Sequence, residues 1–140
     1  MIAIIFVALL LLIYRYPLTS NIIWFPLFFL INVIAALAVG IWLSALTIRY
    51  RDFIHVIPFL VQFGLYATPV GYPASLIPEK YQFIYHLNPM AGVVEGFRYS
   101  ILGGEEISRY AWLSFLIILL LFISGIAYFK KVEKVMADIV

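Results

Sequence analysis

Residues 22–53 read "IIWFPLFFLINVIAALAVGIWLSALTIRYRDF", a run without charge from 22 to 48 that ends abruptly in Arg49, Arg51 and Asp52. As a helix at ~1.5 Å per residue the uncharged run reaches about 40 Å, longer than the ~30 Å hydrocarbon core of a bilayer, so it must tilt or project. Asn32 is its one strongly polar residue. Ala35, Ala36, Gly40 and Ser44 offer a small-residue face for close helix packing. The whole chain is 66% hydrophobic and only 11% charged, with a mean hydropathy of +1.09. Soluble domains carry about 25% charged residues, so an ordinary soluble fold is excluded and a polytopic membrane protein is expected.

Three further apolar runs flank this one. Residues 2–14 are uncharged but reach only about 20 Å, and they lack the basic start and small-residue cleavage site of a signal peptide. They read as the end of a membrane helix whose beginning is missing, which would make the chain a C-terminal piece of something longer. Residues 54–71 form a third span carrying Pro58, Gln62, Gly64 and Pro69. Residues 110–129 form the cleanest span, about 30 Å long, with Trp112 and Tyr128 as interfacial anchors.

Residues 72–109 are too apolar for a free loop and too often broken for a crossing. Pro73 and Pro78 frame a short helix running to about His86. Asn88-Pro89 then signals a helix start, a capping side chain followed by proline in the first helical position. Gly103-Gly104 is the matching stop. Two short helices joined at "HLNP" read as a re-entrant hairpin, since irregular backbone at membrane depth is tolerated where protein buries it or a wet path runs beside it. The expected architecture is therefore all-α, a single membrane domain over residues 1–140 with about four transmembrane helices and a re-entrant region at 72–109 before the last span.

Charge placement sets an orientation. Lys130, Lys131 and Lys134 follow the last span and assign the C-terminus to the cytoplasm. Arg49 and Arg51 then share that side, making five basic residues inside against Arg15, Lys80, Arg98 and Arg109 outside, of nine in all. For "RYRD" a solvated loop that holds orientation explains the arginines. A compact charged knob that a soluble motor pushes against explains the tight turn and Asp52 as well.

Chemistry-bearing patterns are few. There is no G-x-x-x-x-G-K-S/T phosphate loop and no H-E-x-x-H pair. His55 and His86 fall on opposite sides of the membrane in this topology, so a shared metal is not expected. The chain has no cysteine, hence no disulfide or thiolate site. Glu95 and Arg98 stand three apart on the second short helix, where they can pair with each other. The pair reads either as a structural ion pair or as a gate or pathway-lining charge, because charge at membrane depth faces an interior or a water-filled path. Among 12 Phe, 10 Tyr and 3 Trp, most should be packing or interfacial residues. Phe59, Phe63 and Tyr66 recur at near-helical spacing with Gln62 on an adjoining face, and with Tyr72 they are candidates to line a substrate path.

The stretch from Leu46 to Gly103, with the final span and its "YFKKVEKVMADIV" tail, resembles the C-terminal half of type-2 ABC exporter permeases. It is most similar to those that move O-antigen, capsule or teichoic acid chains. The resemblance rests on "RYRDF" with "PFLVQ" (Pro58 to Gln62), "TPVGYP" (Thr68 to Pro73), "LNPMAGVVEGFR" (Leu87 to Arg98) and the terminal F-x-x-V-E (Phe129 to Glu133); residues 1–44 agree only in hydrophobicity. It implies a non-enzymatic permease subunit of the bacterial inner membrane that pairs with a second copy and docks a separate ATPase. ATP and magnesium would reside on that ATPase and no cofactor on this chain. It assigns Arg49, Tyr50, Arg51 and Asp52 to an ATPase-coupling loop, and Asn88, Pro89, Glu95 and Arg98 to an external gate. A lipid-linked glycan would be the cargo. The family's N-terminal amphipathic segment and first two spans have no counterpart here. Alternatives in view are a permease for drugs or other lipids, an intramembrane transferase, for which Glu95 with Arg98 supplies no obvious base, and a non-transporting scaffold.

Overall fold

In the computed structural model, which describes residues 6, 9–11, 13–14, 20–68, 70–71, 76–103 and 106–137, every regular element among those residues is helical. A short 3-10 turn, Ser20–Trp24, leads into α1 (Phe25–Arg49). A second 3-10 turn, Arg51–His55, leads into α2 (Ile57–Ala67). Then follow α3 (Glu79–Tyr85), α4 (Pro89–Leu102) and α5 (Ala111–Ala137).

Local chemistry sets these boundaries. Pro26 and Pro58 lie in the first turns of α1 and α2, where the missing N–H has no helical acceptor to lose. Tyr50 breaks out into extended backbone (φ −127°, ψ 96°), so the charged stretch begins a new turn instead of prolonging α1. Thr68 precedes Pro69, whose ring disfavours helical backbone in the residue before it. Thr68 is accordingly extended (ψ 125°) and ends α2, its hydroxyl donating to the Gly64 carbonyl at 2.7 Å. Asn88 caps α4 with its side-chain oxygen accepting the Met90 N–H at 3.0 Å, ahead of Pro89. Gly103 closes α4 in the left-handed region (φ 64°), where a Cβ would be strained.

α1 and α5 run side by side in the same direction. Near their starts Phe28 meets Phe115, with ring centroids 6.4 Å apart. Farther along, Trp42 stacks on Tyr128 at 5.0 Å, and its indole N–H donates to Ser124 Oγ at 3.2 Å. The two contact points are about 20 Å apart along each helix. α4 lies across the pair. Ala35, Val93 and Ile118 form the buried centre, flanked by Ile31, Ile34, Met90, Phe97 and Phe115. Close approach is secured by absent side chains. A Cβ on Gly92 would sit 2.9 Å from Ser114 Cβ and 3.1 Å from the Ala111 carbonyl oxygen, and one on Gly96 would run into the ring of Phe28.

Among the described residues two helices, Ser20–Arg49 and Ala111–Lys134, are long and apolar enough to cross a membrane. Two expectations need correction. The third run holds only the 11 residues of α2 in α-helix, about 16 Å, because a 3-10 turn takes its start and Pro69 ends it. Most of run 2–14 lies outside the described residues. The small-residue face is also shifted. Ala35 is buried, but Ala36, Gly40 and Ser44 are exposed, and Ala38 and Ala45 join Ala35 in the interface. At ~100° per residue Ala35, Ala38 and Ala45 form one stripe, whereas Ala36, Gly40 and Ser44 form another that turns away from α5.

Gly96→Ala is expected to destabilise the protein by about 1–3 kcal/mol through overpacking against Phe28. Gly40→Ala, with open space at its Cβ, should leave stability unchanged or slightly raised. Thermal unfolding of the two variants in the same detergent checks both. Asn88→Ala should cost about 1 kcal/mol through the lost cap alone, read in the same assay.

Candidate functional site

The predicted gate residues converge on the junction of α3, α4 and α5. Asn88 does more than cap α4: its amide N–H also donates to the Ala67 carbonyl at 2.7 Å, tying down the last turn of α2. Arg98 reaches the same stretch, donating to the Val70 carbonyl at 2.6 Å. Pro89 opens α4 beside them. Two of the four predicted gate residues thus hold the chain as it leaves α2.

Glu95 behaves differently from expectation. Its partner is His86, whose Nε2 lies 3.1 Å from Glu95 Oε1, with the histidine fully buried and the glutamate nearly so. Arg98 points to Val70 instead. The reason is register. Residues 95 and 98 share the α4 surface, but Glu95 faces inward and meets the end of α3. The other carboxylate oxygen, Oε2, accepts the Ser108 N–H at 3.3 Å.

Around this pair lies a continuous polar network. His86 Nδ1 donates to the Gln82 carbonyl one turn back at 2.8 Å; a carbonyl only accepts, so the proton on this nitrogen is fixed. The Gln82 side chain accepts from Ser108 Oγ at 3.1 Å and donates to the Ile77 carbonyl at 3.3 Å. Ser108 Oγ in turn accepts the Tyr110 N–H at 3.3 Å. On α5, buried Ser114 Oγ lies 2.9 Å from the His86 carbonyl and 3.0 Å from that of Asn88, and accepts the Gly92 N–H at 3.2 Å. Each buried polar group left without a partner would cost about 1–3 kcal/mol. The network therefore rigidifies the junction only because it is completed from four segments at once.

The predicted coupling residues stand elsewhere. Arg49 ends α1 with its guanidinium carbon 5.6 Å from the Tyr50 ring centroid, a cation–π distance. Tyr50, Arg51 and Asp52 are exposed, Asp52 in the first turn of the short 3-10 helix. Exposed charges of this kind contribute at most about 1 kcal/mol to stability. They lie beyond the Trp42–Tyr128 contact, at the same end of the helix pair as Lys130, Lys131 and Lys134. The α3–α4 junction packs at the opposite end, against the first turns of α5.

The described candidate lining residues stand on the exposed surface of α2. Phe59, Phe63 and Tyr66 are 69%, 64% and 80% exposed on α2, and Gln62 is exposed beside them. Tyr72 lies outside the described residues. A mainly apolar cavity of about 550 Å³ opens elsewhere, between Leu10, Tyr14, Val70, Val94, Phe97 and Arg98 among others. Only Arg98 of the predicted set touches it. Among the described residues no cluster of three or more His, Asp or Glu side chains is placed to hold a metal.

Sequence reasoning missed His86, Gln82, Ser108 and Ser114. The available signal was a histidine in an apolar setting directly before the "NP" cap, nine residues from a glutamate on the next helix.

Comparison with known proteins bears on the whole arrangement. The family profile for the ABC-2 type transporter covers residues 1–102. The O-antigen export system permease protein RfbA of Klebsiella pneumoniae is 27% identical over 127 residues, 89% of this chain and 49% of the relative. Another Klebsiella pneumoniae protein of that name is 29% identical over 116 residues, 81% of this chain and 44% of the relative. RfbA of Myxococcus xanthus is 30% identical over 82 residues, 57% of this chain and 32% of the relative. The chain spans about half the length or less of these curated relatives. No solved structure gives a significant match. With its two long apolar helices and its match over residues 1–102, the chain belongs to the ABC-2 type transporter family.

Proposed function

We propose that this chain acts in the permease subunit of an ATP-driven exporter that carries a lipid-linked polysaccharide of the O-antigen, capsule or teichoic acid kind across the bacterial inner membrane. The observation that carries the reading is the alignment of most of the chain with permeases named for O-antigen export. The geometry supports it. Parallel packing of α1 and α5 obliges the intervening chain to return along their length, so the stretch that includes α2 provides the returning span. With the apolar run 2–14 counted as a further span, this gives the four-span topology, and α3 and α4 become a re-entrant hairpin on the side opposite the basic end.

The positive-inside rule then assigns the end bearing Arg49, Arg51 and the three terminal lysines to the cytoplasm. There Arg49, Tyr50, Arg51 and Asp52 form the surface that a separate ATPase engages, with ATP and magnesium held by that partner and no cofactor on this chain. A second copy of the permease completes the path. Phe59, Gln62, Phe63, Tyr66 and Tyr72 line it, their ring faces stacking on sugars as the glycan passes. Asn88, Pro89, Glu95 and Arg98 shape the external gate, since Asn88 and Arg98 anchor the end of α2 to the hairpin.

Arg51→Glu is expected to reduce glycan reaching the cell surface about tenfold or more while leaving membrane insertion intact, because repulsion at a docking surface costs affinity and not fold. Surface glycan staining together with co-purification of the ATPase checks this. Full export with normal ATPase recovery would remove the coupling role.

A further inference from the structure

The buried His86–Glu95 contact has a proton count that geometry fixes. His86 Nδ1 is committed as a donor to the Gln82 carbonyl, 2.8 Å away. The 3.1 Å approach of Nε2 to Glu95 Oε1 is therefore a hydrogen bond only when a proton lies between them. It can sit on the imidazole, giving a cation facing a carboxylate, or on the carboxyl, donating to a neutral ring. In both arrangements the pair is electrically neutral. Without that proton an imidazole lone pair faces a buried carboxylate. With one more, the pair carries a net positive charge in a buried site.

Among the described residues, the hydrogen-bond and ring partners of the pair carry no formal charge. From α3 come Gln82 and the ring of Tyr85, centroid 4.9 Å from that of His86. From the connection before α5 come Ser108, through its N–H, and Tyr110, ring centroid 6.4 Å away. From α5 comes Ser114, directed at the His86 carbonyl. Tyr85 and Tyr110 are the titratable members among them. The contact also joins the last residue before the turn to the middle of α4, so it fixes the angle between the two short helices.

We infer that His86 and Glu95 form a one-proton latch that holds the α3–α4 hairpin closed on α5 and releases it when the shared proton is lost or a second is gained. The inference rests on the geometry of the hairpin and not on the identity of the cargo. It makes a sharp distinction between substitutions. Glu95→Gln keeps the latch but removes its alkaline release: the amide N–H donates to Nε2 of a neutral ring and the amide oxygen accepts from Ser108, so no shared proton is left to lose, and only a proton gained by the ring still breaks the contact. Glu95→Ala leaves Nε2 and the Ser108 N–H unpaired. Breaking a buried pair from one side is strongly destabilising.

The test is amide hydrogen exchange, followed by mass spectrometry, on the full chain in lipid bilayers with whatever subunits co-purify. Exchange in Glu79–Leu102 is measured from about pH 5 to about pH 9, spanning the ordinary histidine transition, and corrected for intrinsic rates. Wild type should show protection that peaks within the range and falls toward the alkaline end, where the shared proton is lost. Glu95→Gln should be equally protected at the peak, with no fall toward the alkaline end. Glu95→Ala should exchange on the order of a hundred times faster at all pH values. In parallel, ¹⁵N NMR of histidine-labelled protein should find His86 protonated at Nδ1 throughout, with a His55→Gln variant separating the chain's two histidine signals.

A wild-type profile that falls no more toward the alkaline end than that of Glu95→Gln would overturn the latch. So would loss of protection in Glu95→Gln equal to that in Glu95→Ala, or a bare Nδ1 on His86. Loss of export in Glu95→Gln with unchanged protection would leave the latch standing and bear only on the gate.

Discussion

Parallel packing of α1 on α5 is the constraint from which the remaining arrangement follows. Two helices that enter at the same end and leave at the same end demand that the chain between them travel back. That requirement falls on the chain between Arg49 and Ala111, and the basic residues are separated from the α3–α4 junction by the length of the pair. The packing is possible because Ala35, Ala38 and Ala45 let α5 approach, while Gly92 and Gly96 admit α4 against Ser114 and Phe28. In a bilayer, lipid tails are as apolar as leucine, so such van der Waals contact and the few interhelical hydrogen bonds must supply the association.

The hairpin is held by a different kind of force. Its junction buries a histidine, a glutamate and a serine, His86, Glu95 and Ser114, in a largely apolar body. Such groups are tolerable only when each finds a partner, and the network supplies them through carbonyls of Gln82, His86 and Asn88. A polar cluster of this sort is less forgiving than an aliphatic core, since removing one member strands the next. It therefore specifies one geometry. The basic end has the opposite character: the charges of Arg49, Arg51 and Asp52 are exposed and worth little to stability.

Much of this was legible in the sequence. The run ending at Arg49, the Asn88-Pro89 start, the Gly103 stop and the long final helix all carry local signals, and each element lies where those signals put it. What escaped were features decided by rotation about a helix axis and by contact over long separation. Ala36, Gly40 and Ser44 have the right spacing for a packing stripe, yet Ala35, Ala38 and Ala45 are the residues that pack. Glu95 and Arg98 have the right spacing for an ion pair, yet the turn at His86 brings an imidazole closer. Run 54–71 is apolar enough for a span, yet Asp52 to His55 wind as a 3-10 turn and Pro69 forces Thr68 out of helix. The assignment of Phe59, Phe63 and Tyr66 to a path depends on what lies against α2, which no spacing within this chain encodes.

The most direct test of the two-ended arrangement uses the absence of native cysteine. Single substitutions Lys131→Cys and Glu79→Cys, both at exposed positions, would be probed in intact cells with a membrane-impermeant maleimide, with permeabilised cells as the control. The account predicts labelling of Glu79→Cys from outside and of Lys131→Cys only after permeabilisation. Labelling of both from the same side would contradict the opposition of hairpin and basic end across the membrane.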